Sequence, residues 1–119
     1  MTEIAPTSGS VSITVDRRGL DALVRLSGRI DVDSSPDLRD RLLAILSHKP
    51  LPHTITVDLA GVSYIETSGI ATLIEGLKIA HHRHTTFSLQ GLGGPALRLF
   101  EVTGVQALFD VKDSGQKVS

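Results

Sequence analysis

The chain has 119 residues, of which 40% are hydrophobic and 3% aromatic, with a formal net charge of −1 and no cysteine. That length suits one domain around one aliphatic core, and the lack of cysteine excludes disulfides, thiolate metal sites and a Cys nucleophile. Near-neutral charge and scarce aromatics argue against nucleic-acid binding, and no apolar run approaches the roughly 20 residues that cross a bilayer.

The N-terminal MTEIAPTSGS has no basic region ahead of an apolar run, so no signal peptide is expected. Together with the absent cysteines it fits a cytoplasmic protein. Residues 1–9 are small and polar and read as a flexible tail, 10–113 as the domain, and 114–119 as a second tail.

Val11, Ile13 and Val15 alternate with polar residues, as do Leu20, Ala22, Val24 and Leu26 after the turn at Asp16–Gly19. Two period-2 runs around a short Gly-containing turn predict a β-hairpin. The second run stops at Ser27-Gly28. Asp31 to Ser35 form a polar loop whose serines can cap a helix, with Pro36 and Asp37 in its first turn. Leu38, Leu42, Ile45 and Leu46 then fall on one helical face, and the prolines after His48 end it.

Ile55, Val57 and Leu59 predict a third strand, and Val62, Tyr64 and Ile65 lead out of it. A second helix carries Ile70, Leu73, Ile74 and Leu77 at helical spacing and closes at His81-His82-Arg83-His84, where cations complement the helix dipole. Phe87 and Leu89 mark a fourth strand. Pro95 opens a third helix carrying Ala96, Leu97, Leu99 and Phe100, with Gly104 fitting the position just past its end. Leu108, Phe109 and Val111 predict a short last strand. The order β-β-α-β-α-β-α-β is an α/β fold with a mixed, mostly parallel sheet packed by helices. Alternation within the strands predicts that helices cover one face better than the other.

At the junction of third strand and second helix stands Glu66-Thr67-Ser68-Gly69. By local rules a hydroxyl here is a helix cap. Two in a row exceed that need, and Gly69 removes bulk beside them at a cost of about 1 kcal/mol in helix propensity. A phosphate on either hydroxyl would meet the positive end of the helix dipole and add about −1.5 to −2 charges. Nucleophilic catalysis is excluded: the stretch is not G-x-S-x-G, and the nearest histidines on the helix lie roughly 20 Å away at 1.5 Å per residue. His81 and His84 lack an obvious third metal ligand. Gly91-x-Gly93-Gly94 is a lone glycine turn, not a Walker loop.

Loops at the carboxyl ends of parallel strands share one edge, so the loop holding Asp31 and Asp33 is expected beside Thr67. On the second helix Ser68, Thr72, Gly76 and Ala80 form a lane of small residues, with Ile79 near it. Such a lane marks a close approach, either by a neighbouring helix of the domain or by a partner protein.

Three segments resemble the STAS domain family, which includes bacterial anti-sigma factor antagonists. Leu26-Ser27-Gly28-Arg29-Ile30-Asp31 with Asp37-Leu38-Arg39 resembles its opening L-x-G-x-[LI]-D…LR. Val57-Asp58-Leu59…Ile65-Glu66-Thr67-Ser68-Gly69-Ile70 resembles its phosphorylation motif, and Leu97 to Val105 its C-terminal helix. The resemblance is collinear over about 11–111. It implies a binding switch without enzymatic activity or cofactor. The antagonists of the family bind a serine/threonine kinase anti-sigma factor while unphosphorylated. The kinase phosphorylates them to end binding, and a phosphatase resets them. Carried onto this chain, Thr67 is the phosphoacceptor, with Ser68 as the alternative. Asp31, Glu66, Thr67, Ser68 and Gly69 form the partner surface, extended by Thr72, Glu75, Gly76 and Ile79. Glu66 stands where the family has Asp, and Thr67 where Ser is commoner. The alternative the resemblance leaves is an unphosphorylated STAS subunit of an ABC lipid transporter or a signalling scaffold.

Overall fold

The alternation read from the strands decides which face of the sheet is buried. In a computed structural model, which describes residues 2–5 and 11–112, β1 (Thr2–Ala5), β2 (Val11–Arg18), β3 (Asp21–Ile30), β4 (Thr54–Ile65), β5 (Thr86–Gln90) and β6 (Asp110–Lys112) form one sheet in chain order. The β1–β2 and β2–β3 pairings are antiparallel, and the other three are parallel. Helices α1 (Ser35–Ser47), α2 (Thr67–His82) and α3 (Gly94–Thr103) supply the crossovers. They cover the face bearing Ile13, Val24, Leu26, Val57 and Leu89, all buried. The opposite face presents Thr14, Asp16, Arg25, Thr56 and Gln90, which are half-buried or exposed. One apolar and one polar face per strand is what the alternating pattern demands.

The expected order holds from β2 onward, with three differences. Thr2–Ala5 is not a tail: it pairs antiparallel with Ile13–Asp16 as strand β1, because the antiparallel edge of β2 offers its backbone N–H and C=O groups. The remainder of 1–9, and 113–119, lie outside the described residues. Val105–Leu108 form a 3-10 turn rather than a strand, and β6 starts only at Asp110. The segment 62–65 is not a lead-out but part of a 12-residue strand. Its pairing with β3 shifts register once between Arg25 and Ser27 and again between Gly28 and Arg29. Each shift places one extra residue on β4, the geometry of a β-bulge. The buried positions of β4 are therefore Ile55, Val57, Leu59, Val62 and Ile65, two apart and then three apart. The bulges keep the apolar face inward over the whole strand. Gly61 sits at the first of them, where a Cβ would lie 2.8 Å from Ser27 Cβ.

The core is aliphatic, as composition requires. Its few rings meet at one end, with Phe109 6.2 Å from Phe87 and 6.0 Å from Phe100 between centroids. Leu38, Leu42, Ile45 and Leu46 of α1 are buried as the helical spacing predicts. Gly104 closes α3 in the left-handed conformation, φ 73°, which glycine adopts without steric cost.

Candidate functional site

Parallel pairing of β3 and β4 brings their carboxyl ends to one edge of the sheet. The backbone N–H of Glu66 donates to Ile30 O at 2.9 Å, so the start of α2 is tied directly to the end of β3. The loop with Asp31 and the motif with Thr67 are therefore neighbours, as topology predicts.

Each loop residue has a definite job. Asp31 Oδ1 accepts from the backbone N–H groups of Asp33 and Ser34, both at 3.0 Å. These donors, that of Ser34 foremost, hold the Asp31 carboxyl below its usual range, with Arg29 adding a smaller attraction. Ser34 is fully buried. Its hydroxyl accepts from Asp31 N at 2.9 Å and donates to Arg29 O at 3.0 Å. Asp33 itself is exposed. The hydroxyl of Ser35 donates to Asp31 O at 2.7 Å and lies 3.3 Å from Ser68 Oγ. With its one proton so used, Ser35 accepts and Ser68 donates.

The hydroxyl pair is not the cap of α2. The N-cap is Glu66, in extended conformation, without a side-chain capping bond. Its carbonyl accepts from Gly69 N at 2.9 Å and Ile70 N at 3.2 Å. Thr67 and Ser68 are the first two helical residues. Thr67 is exposed, whereas Ser68 is half-buried and hydrogen-bonded to α1. Gly69 is buried, and a Cβ there would fall 2.6 Å from Ile30 Cγ2 and 2.9 Å from Ile65 Cγ1. The glycine is thus a packing requirement of the strand ends, not a clearing made beside the hydroxyls.

Glu66 bridges the two loops. Its Oε1 accepts from Val32 N at 3.2 Å and its Oε2 from the Tyr64 hydroxyl at 3.0 Å. Hydrogen bonding to this carboxylate, reinforced by its charge, raises the Tyr64 phenol above its usual range. The Arg29 guanidinium stacks 4.1 Å from the Tyr64 ring centroid. On the other side of Thr67 a groove runs between the end of β4 and α3, lined by Tyr64, Ile65, Arg98, Leu99 and Val102. Val102 is 78% exposed and Val32 66%.

The flank of α2 is a correction. Thr72 and Gly76 are buried, and a Cβ on Gly76 would meet Leu42 Cδ1 at 3.0 Å and Phe87 Cε2 at 3.3 Å. Glu75 takes a hydrogen-bonded ion pair from Arg39 Nε at 3.0 Å, and Ile79 is partly buried against the core, lining with Leu42, Leu43 and Leu46 a small crevice between α1 and α2. The lane of small residues seats α1. Thr72 and Gly76 are therefore turned to the interior rather than to the surface around Thr67, Glu75 is engaged with Arg39, and Ile79 is half-buried. Sequence reasoning passed over Arg29, Val32 and Tyr64. Only the isolation of Tyr64 as the single tyrosine would have drawn attention to it.

The family model described as "Mlab, STAS domain" matches residues 13–110. An anti-sigma-B factor antagonist of Bacillus subtilis is 26% identical over 102 residues, covering 86% of this chain and 91% of the relative. One from Staphylococcus epidermidis is 28% identical over 90 residues, covering 76% and 82%. Among solved structures, an anti-sigma factor antagonist from Mycobacterium paratuberculosis superposes with TM-score 0.77 at 20% identity, covering 93% of this chain and 92% of that one. The antagonist SpoIIAA in its unphosphorylated form gives 0.71 at 14%, covering 86% and 89%. With the matched model spanning all but the ends of the chain, and the fold shared with these neighbours, this protein belongs to the STAS domain family.

Proposed function

We propose that the chain is an anti-sigma factor antagonist, a binding switch without enzymatic activity of its own, controlled by phosphorylation of Thr67. One observation carries the reading. Thr67 is exposed in the first turn of α2, beside the Asp31 loop, and the helix start leaves its hydroxyl out of capping. Transfer of the γ-phosphoryl group of ATP forms the Thr67 Oγ1–P bond, expels ADP and passes the hydroxyl proton to the kinase. The dianion then sits at the positive end of α2, where first-turn N–H groups stabilise it. It adds about two negative charges to an edge that already carries Asp31, Asp33 and Glu66, and a partner fitted to the unmodified edge is repelled. Ser68 is the lesser acceptor because its hydroxyl is half-buried and donates to Ser35. The names of the curated relatives support an anti-sigma factor as partner, here a serine/threonine kinase in the cytoplasm, with a phosphatase restoring the free hydroxyl.

The test is incubation with a kinase-type anti-sigma factor, ATP and magnesium, read by mass spectrometry. Phosphate on Thr67, absent from Thr67→Ala, is the expected result. A kinase that binds the chain yet leaves Thr67 unmodified would refute the switch. Equal recovery of the partner by Thr67→Ala and Thr67→Glu in a pulldown would refute control by charge.

The second reading, which the relatives' names support less, is an unphosphorylated STAS subunit of an ABC lipid transporter or a signalling scaffold. Co-purification with transporter components, unaffected by Thr67→Glu, would select it.

A further inference from the structure

We propose that Glu66 is a positioning residue: its carboxylate clamps the Val32 loop to the start of α2, and negative charge on Thr67 opens the clamp. The closing half stands on the structure alone, while the opening half rests on Thr67 being the modified residue.

Both carboxylate oxygens of Glu66 are committed, and to different elements. Oε1 holds the backbone N–H of Val32, 34 positions away in sequence. Oε2 holds the phenol of Tyr64 on β4. The backbone of Glu66 is fixed in turn by its bond to Ile30 O, so the side chain must span the gap from one defined point. Aspartate, one methylene shorter, does not span both. The clamp is backed on its far side, because the Tyr64 ring carries the Arg29 guanidinium, and Arg29 Nε lies 3.9 Å from Asp31 Oδ2. Arg29, Asp31, Tyr64 and Glu66 therefore fix the loop tip from both ends, and they hold up Val32, a large exposed apolar residue, against the Glu66 carboxylate.

A phosphate on Thr67 would stand on the residue next to Glu66, and both residues line the same groove. Like charges at such proximity disfavour one another. The phosphate is fixed by the helix N-terminus, while Glu66 is held by two hydrogen bonds and a rotatable stem. The carboxylate swings out, the Val32 N–H loses its acceptor, and the loop tip loosens. Modification thereby alters the shape of the surface as well as its charge.

The test needs no partner. Amide hydrogen exchange of the full-length, isotope-labelled chain is compared in wild type, Glu66→Ala, Glu66→Asp, Glu66→Gln and Thr67→Glu, with Val57 as the folding control. Glu66→Ala and Glu66→Asp should speed exchange at Val32 about tenfold, the worth of one charge-assisted hydrogen bond. Glu66→Gln, which keeps an acceptor oxygen, should stay within about twofold of wild type. Ultraviolet titration of the only tyrosine supplies a second readout: Glu66→Gln should lower its pKa by removing the charge beside it. Thr67→Glu should release Val32 as Glu66→Ala does. Unchanged Val32 exchange in Glu66→Ala overturns the clamp. Protected Val32 in Thr67→Glu overturns its opening by charge. A kinase that ignores Thr67 removes the phosphorylation switch but leaves the Val32 and tyrosine results standing for the clamp.

Discussion

Two helical glycines, Gly69 and Gly76, should respond unequally to the same substitution. Gly→Ala in a helix gains about 0.5–1 kcal/mol from propensity, somewhat less in the first turn where Gly69 sits. At Gly69 the new methyl would lie 2.6 Å from Ile30 Cγ2 and 2.9 Å from Ile65 Cγ1. Both isoleucines are buried, at 0% and 4% exposure, and β-branched side chains have few other rotamers. Overpacking a rigid site costs about 1–3 kcal/mol, so Gly69→Ala should lose about 2 kcal/mol net. At Gly76 the closest atom is the terminal Cδ1 of Leu42, at 3.0 Å, which can turn aside. There the propensity gain and the packing cost nearly cancel, and the change should stay within about 1 kcal/mol of zero. For a domain of this size, about 4 °C of Tm corresponds to 1 kcal/mol. Thermal unfolding followed by circular dichroism should place Gly69→Ala about 8 °C below wild type and Gly76→Ala within about 4 °C of it. If Gly69→Ala matches or exceeds wild type in Tm, then Gly69 is not a contact point between α2 and the strand ends.

Ser34→Ala should cost about 1–3 kcal/mol by urea denaturation, because it strips partners from Asp31 N and Arg29 O at a fully buried position. Asp31 titrates below its usual range when folded, so its stabilising effect is full above about pH 4, the unfolded value, and fades as pH falls through the folded one. The Tm gap between wild type and Asp31→Asn should therefore be open at pH 7 and close below about pH 4. The Arg39–Glu75 pair, with side chains 49% and 42% exposed, should contribute at most about 0.5 kcal/mol. Glu75→Gln should move stability by no more than that, and 1 M salt should erase the difference.

The fold was legible wherever one physical signal acted alone. The period-2 runs of β2 and β3 and the helical spacing of Leu38 to Leu46 needed only burial of one face. β4 was legible in its first half and not in its second, because two bulges shift the period and make Val62 and Ile65 look out of phase. β1 carries no alternation long enough to announce itself, and only its pairing with β2 defines it. The site was legible in topology, which placed the Asp31 loop beside Thr67. The lane through Thr72 and Gly76 was visible too, but small residues signal a close approach without saying whose, and here α1 is the neighbour. The role of Glu66 was hidden because its contacts reach Val32 across 34 positions of sequence.

β4 runs on past its partner. Its first five residues pair with β5, whereas pairing with β3 continues to Ile65. The strand therefore carries Glu66 to Ser68 outward on a projecting girder, whose reach is set by backbone pairing rather than by the side chains at its tip. Gly69, wedged between two isoleucines, seats the tip against the interior. Of the three residues ahead of that glycine, Thr67 alone is exposed, while Glu66 and Ser68 are tied to the neighbouring loop and to α1. The side chain at Thr67 can therefore drift through evolution, or be exchanged by an engineer, to retune what the edge recognises while the scaffold behind it stays as it is.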